Sequence, residues 1–86
     1  MPYQIHYAPR ASRVIEALSR EFQRRVIARI ESLAKNPRPS GALKLAGEDT
    51  WRVRVGTYRV IYSIIDKQLV VLIVDVGHRR EVYRNR

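Results

Sequence analysis

An α+β domain, two helices leading into a mostly antiparallel sheet, is what this sequence predicts, and three observations carry the prediction. The chain has 86 residues, 45% of them hydrophobic, which suits one modest core and is too short for two domains. Apolar residues recur at helical spacing between Val14 and Leu33. From Leu43 onward the period falls from 3.6 to 2, the signature of strands. A single domain over 1–86 follows, with no internal repeat, low-complexity stretch or linker.

Tyr3, Ile5 and Tyr7 alternate with Gln4 and His6, a short strand that Pro9 stops. Val14, Ile15 and Leu18 sit at helical spacing. Ser19 then stands where it can cap a second helix, whose apolar stripe is Phe22, Val26, Ile30 and Leu33, joined by Ile27. The run Asn36-Pro37-Arg38-Pro39-Ser40-Gly41 ends that helix. Leu43 and Leu45 begin a short strand, and Gly47-Glu48-Asp49 turns. Trp51 to Val55 alternates cleanly, Gly56-Thr57 turns again, and a strand runs from Tyr58 to Ile65. After a turn at Asp66-Lys67, Leu69 to Val76 is almost continuously apolar, as a central strand covered on both faces would be, and Gly77 ends it.

Seventeen Lys and Arg against eight Asp and Glu give a net charge of +9, and fourteen of the seventeen are arginine. Residues 1–42 contribute +5 and residues 43–86 contribute +4, so the charge belongs to the fold and not to a tail. Arginine forks suit phosphate, which makes a polyanion the first partner to expect. The absence of cysteine excludes a disulfide framework, thiolate catalysis and Cys-based metal sites. No glycine-rich phosphate loop, paired zinc ligands, serine elbow or carboxylate cluster for two metals is present, so neither cofactor nor metal is expected. Met1-Pro2-Tyr3-Gln4 lacks the basic start and apolar core of a signal peptide, and Leu69–Val74 falls far short of the roughly twenty apolar residues of a membrane span. A soluble cytoplasmic protein with no membrane partner is the expectation.

Two constellations suggest a site. A two-residue turn at Gly56-Thr57 sets Val55 opposite Tyr58, Arg54 opposite Arg59, Val53 opposite Val60 and Trp51 opposite Tyr62. Arg54 and Arg59 then face each other, with Arg52 two residues along the same face, and phosphate would relieve their repulsion. The bland alternative is three arginines fanned into solvent. The second constellation, His78-Arg79-Arg80-Glu81-Val82-Tyr83-Arg84, follows the apolar strand. Arginines there can neutralise a phosphate, while a histidine or tyrosine can move a proton. RNA carries its own nucleophile, the 2'-hydroxyl, so positioning, proton transfer and charge stabilisation suffice to cut it. Each residue also has a structural reading. His78 can be a surface residue, Tyr83 can pack on the core, and Trp51, Tyr58 and Tyr62 share a strand face with valines and read as core. Asp75 can pair with a basic residue or cap a turn, Glu81 reads as a salt-bridge partner, and the helix arginines read as a solvated face.

The ordered set Leu43-Lys44-Leu45-Ala46-Gly47, Trp51-Arg52-Val53-Arg54-Val55-Gly56-Thr57-Tyr58-Arg59-Val60-Ile61-Tyr62 and Val74-Asp75-Val76-Gly77-His78-Arg79-Arg80-Glu81-Val82-Tyr83 resembles the RelE/ParE superfamily of type II toxin-antitoxin toxins, closest to the RelE-like mRNA interferases. The resemblance covers nearly the whole chain. It implies a curved, mostly antiparallel sheet packed against two N-terminal helices, with an open concave face. It also implies an endoribonuclease that cuts messenger RNA in the ribosomal A site and so inhibits translation. Arg59 and Arg79 match catalytic arginines, and Tyr83 matches the C-terminal catalytic tyrosine. Arg52 and Arg54 fall where RelE-like enzymes carry lysines that grip RNA, and Arg80 and Arg84 join them as phosphate-binding candidates. His78 stands where a basic residue is common. Arginine keeps the charge of lysine but stays protonated, so a step in which lysine sheds a proton does not carry over.

The partners implied are a cognate antitoxin, acidic or partly disordered, the 70S ribosome with messenger RNA in its A site, and operator DNA only through the antitoxin complex. Two other readings stand beside this one: a ParE-like toxin that inhibits DNA gyrase, and a non-catalytic RNA-binding module.

Overall fold

The computed structural model describes residues 2–45 and 49–78. Pro9 sets its first boundary. The residue before a proline is pushed out of the helical region, and Ala8 is accordingly extended (φ −66°, ψ 148°), closing strand β1 (Gln4–Tyr7). Proline's fixed φ and missing N–H are harmless at a helix start, so helix α1 (Pro9–Ala17) begins there and buries Ala11 and Ile15. Leu18 returns to extended geometry. Ser19 then accepts a hydrogen bond from the Phe22 amide at 3.4 Å and caps helix α2 (Arg20–Ser32), as the sequence suggests. Val26, Ile30 and Leu33 are fully buried along the expected stripe, with Phe22 and Ile27 half-buried beside them.

The remaining strands are β2 (Leu43–Lys44), β3 (Thr50–Val55), β4 (Tyr58–Ile65) and β5 (Val70–His78). They join β1 in one sheet of order β1-β5-β4-β3-β2. Only β1 on β5 is parallel, and the other three pairings are antiparallel. The sheet lays Val53, Val60, Tyr62, Val71 and Ile73 against the buried stripes of both helices, which is the α+β layering the change of period predicts. β5 is an interior strand, between β1 and β4, in keeping with its apolar run. It continues two residues past the expected end at Val76, because Gly77 still pairs with Arg59 and His78 with Tyr58. A bulge in β5, where Val74 is left without a partner between Asp75 opposite Ile61 and Ile73 opposite Tyr62, breaks the regular register, a device that bends a strand. The predicted turn at Gly47-Glu48-Asp49 falls largely outside the described residues.

A 3-10 turn over Asp66–Gln68 leads to Leu69, which has a left-handed backbone (φ 55°). Its carbonyl accepts from the Gln4 amide at 2.8 Å, so the strained residue is the junction where β1 joins β5. Nearby, Arg38 ties the long α2–β2 connection to the sheet. Its guanidinium reaches Asp49 at 2.6 Å and Asp66 at 3.0 Å, and it lies over the Trp51 ring at 5.7 Å. Tyr3 donates to Asp66 at 2.6 Å and the Trp51 indole donates to Asp49 at 2.6 Å. Hydrogen bonds from Arg38 and then Tyr3 hold the Asp66 carboxyl below the usual aspartate range. The buried Tyr62 hydroxyl donates to the Pro37 carbonyl at 2.7 Å, and burial pushes its phenol up to about 12.

Two stability predictions follow from these pairs. Tyr62→Phe leaves the Pro37 carbonyl buried without its donor and should lower stability in urea by about 1–2 kcal/mol near neutral pH. The unfolded phenol releases its proton near pH 10 while the native one holds it to about 12, so the wild type should lose stability as pH rises through that interval. The Phe variant should lose less there; an identical alkaline slope would refute the assignment. Asp66 has the opposite sign. Its depressed carboxyl stabilises the fold above the unfolded value of about 3.9, and that contribution disappears as pH falls through the lower native value. The stability gap between wild type and Asp66→Asn should therefore be flat near neutrality and narrow below about pH 4.

Candidate nucleic-acid interface

The turn at Gly56-Thr57 builds the site. Gly56 has φ 60° and Thr57 does not share the positive φ, so the loop is the kind of two-residue hairpin turn that places glycine first. Space makes the same demand: a Cβ on Gly56 would stand 3.2 Å from the Phe22 ring. The resulting register pairs Val55 with Tyr58, Arg54 with Arg59, Val53 with Val60, Arg52 with Ile61 and Trp51 with Tyr62. That is the register expected from the turn length.

Alternation then sorts the two faces. Val53, Val55, Val60 and Tyr62 enter the core beneath the helices, which leaves Arg52, Arg54, Arg59 and Ile61 on the opposite face. Arg54 and Arg59 are direct cross-strand partners, about 4.5–5.5 Å apart at Cα by ladder geometry. Across β4, the neighbour of Arg59 on β5 is Gly77, which brings no side chain. The bland alternative of three arginines fanned into solvent does not describe this face. Arg54 is exposed, but Arg52 retains 9% and Arg59 only 4% of its accessible surface, and Arg59 is engaged within the folded chain. A guanidinium is costly to bury unless it is well partnered, so these two are fixed side chains and not a mobile fringe.

His78 is placed differently from the arginines. It pairs with Tyr58, whose ring it meets edge-on at 5.4 Å, and Tyr58 in turn packs against Phe22 at 5.3 Å on the helix side. His78 thus lies across the sheet from Arg59, along a groove of about 390 Å³ shared with Arg13, Val14, Leu18 and Tyr58. Period-2 alternation explains the separation, since Gly77 takes the arginine face and the next residue must take the other. Arg79, Arg80, Tyr83 and Arg84, together with Glu81, lie outside the described residues. The structure therefore brings Arg52, Arg54 and Arg59 together and sets His78 apart.

Other assignments fall into place around this face. Trp51, Tyr58 and Tyr62 pack on the core side, in keeping with their structural reading. Arg20, Arg24 and Arg25 are exposed on α2, and Arg25 lies over the Phe22 ring at 5.0 Å. Asp75 pairs with Arg10, its Oδ2 lying 3.4 Å from Nε, while Oδ1 accepts from the Val76 amide at 2.9 Å. Sequence reasoning left Asp75 either a basic partner or a turn cap and did not find which residue would pair with it. It also missed Arg38 as the clasp on Asp49 and Asp66. No local pattern marks either arginine, because both pairings join segments far apart in the chain.

A face of clustered arginines on this sheet, backed by two helices, defines a small basic α+β domain with one phosphate-suited surface. Over residues 5–83 the chain matches the family described as "ParE toxin of type II toxin-antitoxin system, parDE", and it belongs to that family within the RelE/ParE superfamily. It is 33% identical to Toxin RelG of Mycobacterium tuberculosis, covering 98% of this chain and 99% of the relative. It is 29% identical to a putative RelE-like toxin protein of Escherichia coli, covering 92% and 85% respectively. Among solved structures, the RelBE2 toxin-antitoxin complex of M. tuberculosis matches with a TM-score of 0.80 and 29% identity over 92% of this chain and 93% of that one. A doubly substituted E. coli RelE in the free state matches with a TM-score of 0.82 and 26% identity over 98% and 93%. No helix among the described residues is long and apolar enough to cross a membrane.

The turn can be tested directly. Gly56→Ala should cost about 1–2 kcal/mol, because the new Cβ meets both the left-handed backbone penalty and the Phe22 ring. Thr57→Ala should change stability by less than about 0.5 kcal/mol. Equal denaturation midpoints for the two variants would show that Gly56 does not set the turn.

Proposed function

We propose that this toxin is a ribosome-dependent endoribonuclease, an mRNA interferase acting in the cytoplasm. It would cut messenger RNA in the A site of the 70S ribosome and inhibit translation. The observation that carries the reading is the cross-strand pair Arg54 and Arg59, with Arg52 beside it on the face away from the helices. Such a cluster is suited to a bridging phosphate, whose charge grows in the transition state. In the proposed reaction the 2'-hydroxyl oxygen attacks the adjacent phosphorus, and Tyr83 orients that hydroxyl or, as its phenolate, takes up its proton. The bond from phosphorus to the 5'-oxygen breaks, and that oxygen takes up a proton from a protonated group of the site. The products are a 2',3'-cyclic phosphate and a 5'-hydroxyl end.

Arg59 and Arg79 would hold the pentacovalent phosphate, while Arg52, Arg54, Arg80 and Arg84 grip the backbone. His78, across the sheet from Arg59, packs on Tyr58. No cofactor is invoked, because the nucleophile belongs to the RNA. The relatives solved as RelB–RelE complexes support a cognate antitoxin as the neutralising partner, one that would bring the toxin to operator DNA. A second reading, gyrase inhibition, is favoured by the matching family's description as ParE toxin.

The deciding experiment maps 5' ends of messenger RNA in purified translation reactions with and without ribosomes. Wild-type protein should create ribosome-dependent ends, Arg59→Ala should lose them by at least about a hundredfold, and Tyr83→Phe should do the same while remaining folded. Full cleavage by Tyr83→Phe would sink the phenolic role. Intact message with active, folded toxin would sink the ribonuclease reading; a gyrase supercoiling assay would then identify a poison, and tight salt-sensitive RNA binding without cutting would identify a binding module.

A further inference from the structure

Asp75 interrupts the apolar strand Val-Val-Leu-Ile-Val-Asp-Val-Gly-His of β5, at the bulge and opposite Ile61. β1 ends at Tyr7, opposite Ile73, so beyond that point β5 has lost its parallel neighbour and α1 starts two residues later. Arg10, in the first turn of α1, reaches this gap and pairs with Asp75 at 3.4 Å through Nε. The acid is the more buried partner, with 21% of its side chain exposed against 59% for the arginine.

Structure alone accounts poorly for this pair. A cation in the first turn of a helix opposes the helix dipole, and that turn contains no acidic residue to compensate. An ion pair this exposed returns little stability. Its location suggests another use. Asp75 stands two residues from Gly77 on β5, about 7 Å along the strand, and Gly77 is the residue paired with Arg59. Arginines therefore border the same region from three sides: Arg54 on β3, Arg59 on β4, and Arg10 at the exposed edge of β5.

We propose that Arg10 is a further RNA-binding residue, contacting a phosphate next to the one held at Arg59, and that Asp75 is its positioning residue. Asp75, itself held by the Val76 amide, keeps the Arg10 guanidinium at this edge through the ion pair at Nε, and the two terminal amino groups lie beyond the atom that makes that contact. The proposal rests on reading the arginine face as an RNA surface, but it concerns binding and not cutting.

The test uses the full chain and a fluorescent single-stranded RNA carrying 2'-O-methyl groups, which offers no 2'-hydroxyl to attack. Anisotropy is read over a series of salt concentrations. Arg10→Ala should weaken binding about tenfold and reduce the slope of log affinity against log salt by about 0.7, the signature of one lost phosphate contact on a single strand. Arg10→Lys should recover most of the slope. Asp75→Asn gives the sharpest contrast: it raises the net charge, which alone would tighten RNA binding, yet it should weaken binding because Arg10 loses its anchor. Far-UV circular dichroism and urea midpoints report folding, and Arg10→Gln serves if the alanine variant is unstable. An Arg10→Ala protein with wild-type affinity and slope, or an Asp75→Asn protein that binds more tightly, would overturn the proposal. Cleavage on ribosomes is scored separately, so a wild type that binds this RNA but cuts no message would refute the ribonuclease and leave the Arg10 result to stand or fall on its own.

Discussion

The register of the β3–β4 hairpin is the constraint on which the rest of the molecule depends. Gly56 at φ 60° makes a two-residue turn, and that turn sets Arg54 beside Arg59 and Val53 beside Val60. A slip of one residue would turn every side chain of a strand to its other face. Guanidinium groups would then press into the helix layer, and Val53, Val55, Val60 and Tyr62 would lose the burial that makes this small core possible. Core and site are thus two faces of one pairing. The interior of an 86-residue domain leaves little room to separate them.

Charge is distributed to match. The exposed arginines of α2 lie on the layer opposite Arg52, Arg54 and Arg59, so among the described residues the basic charge is not confined to one patch. Such a field speeds encounter with a polyanion, whereas discrimination must come from fixed side chains. Arg59 and Arg52 meet that requirement through burial. Three aspartates serve at the margins of the sheet: Asp49 and Asp66 hold Arg38, and Asp75 holds Arg10. Arg38 fastens the connection after α2 to both β3 and the turn before β5, which keeps the sheet's helix-facing side closed from one end.

Much of the site was legible where it depends on local spacing. The opposition of Arg54 and Arg59 could be read from a two-residue turn between alternating strands, because turn length and a period of 2 leave one register. The burial of Arg52 and Arg59 could not, since exposure on a strand face depends on what the rest of the chain brings near it. His78 shows the limit from the other side. Adjacent in sequence to Arg79 and grouped with the arginines by position, it belongs to the opposite face because Gly77 continues the strand and does not end it.

By itself the sequence determined the order of the elements, the Ser19 cap, the proline boundary at Pro9 and the interior place of β5, all of which follow from residue type and near-neighbour spacing, while the superfamily was legible as a resemblance carried by ordered motifs. Tertiary structure alone decided the parallel docking of β1 on β5, the left-handed junction at Leu69, and the pairing of Arg38 with Asp49 and Asp66 and of Arg10 with Asp75. Each of these joins segments separated by many residues of chain. A carboxylate in a sequence shows only that it needs a partner; which of fourteen arginines answers is settled by where the folded backbone carries them.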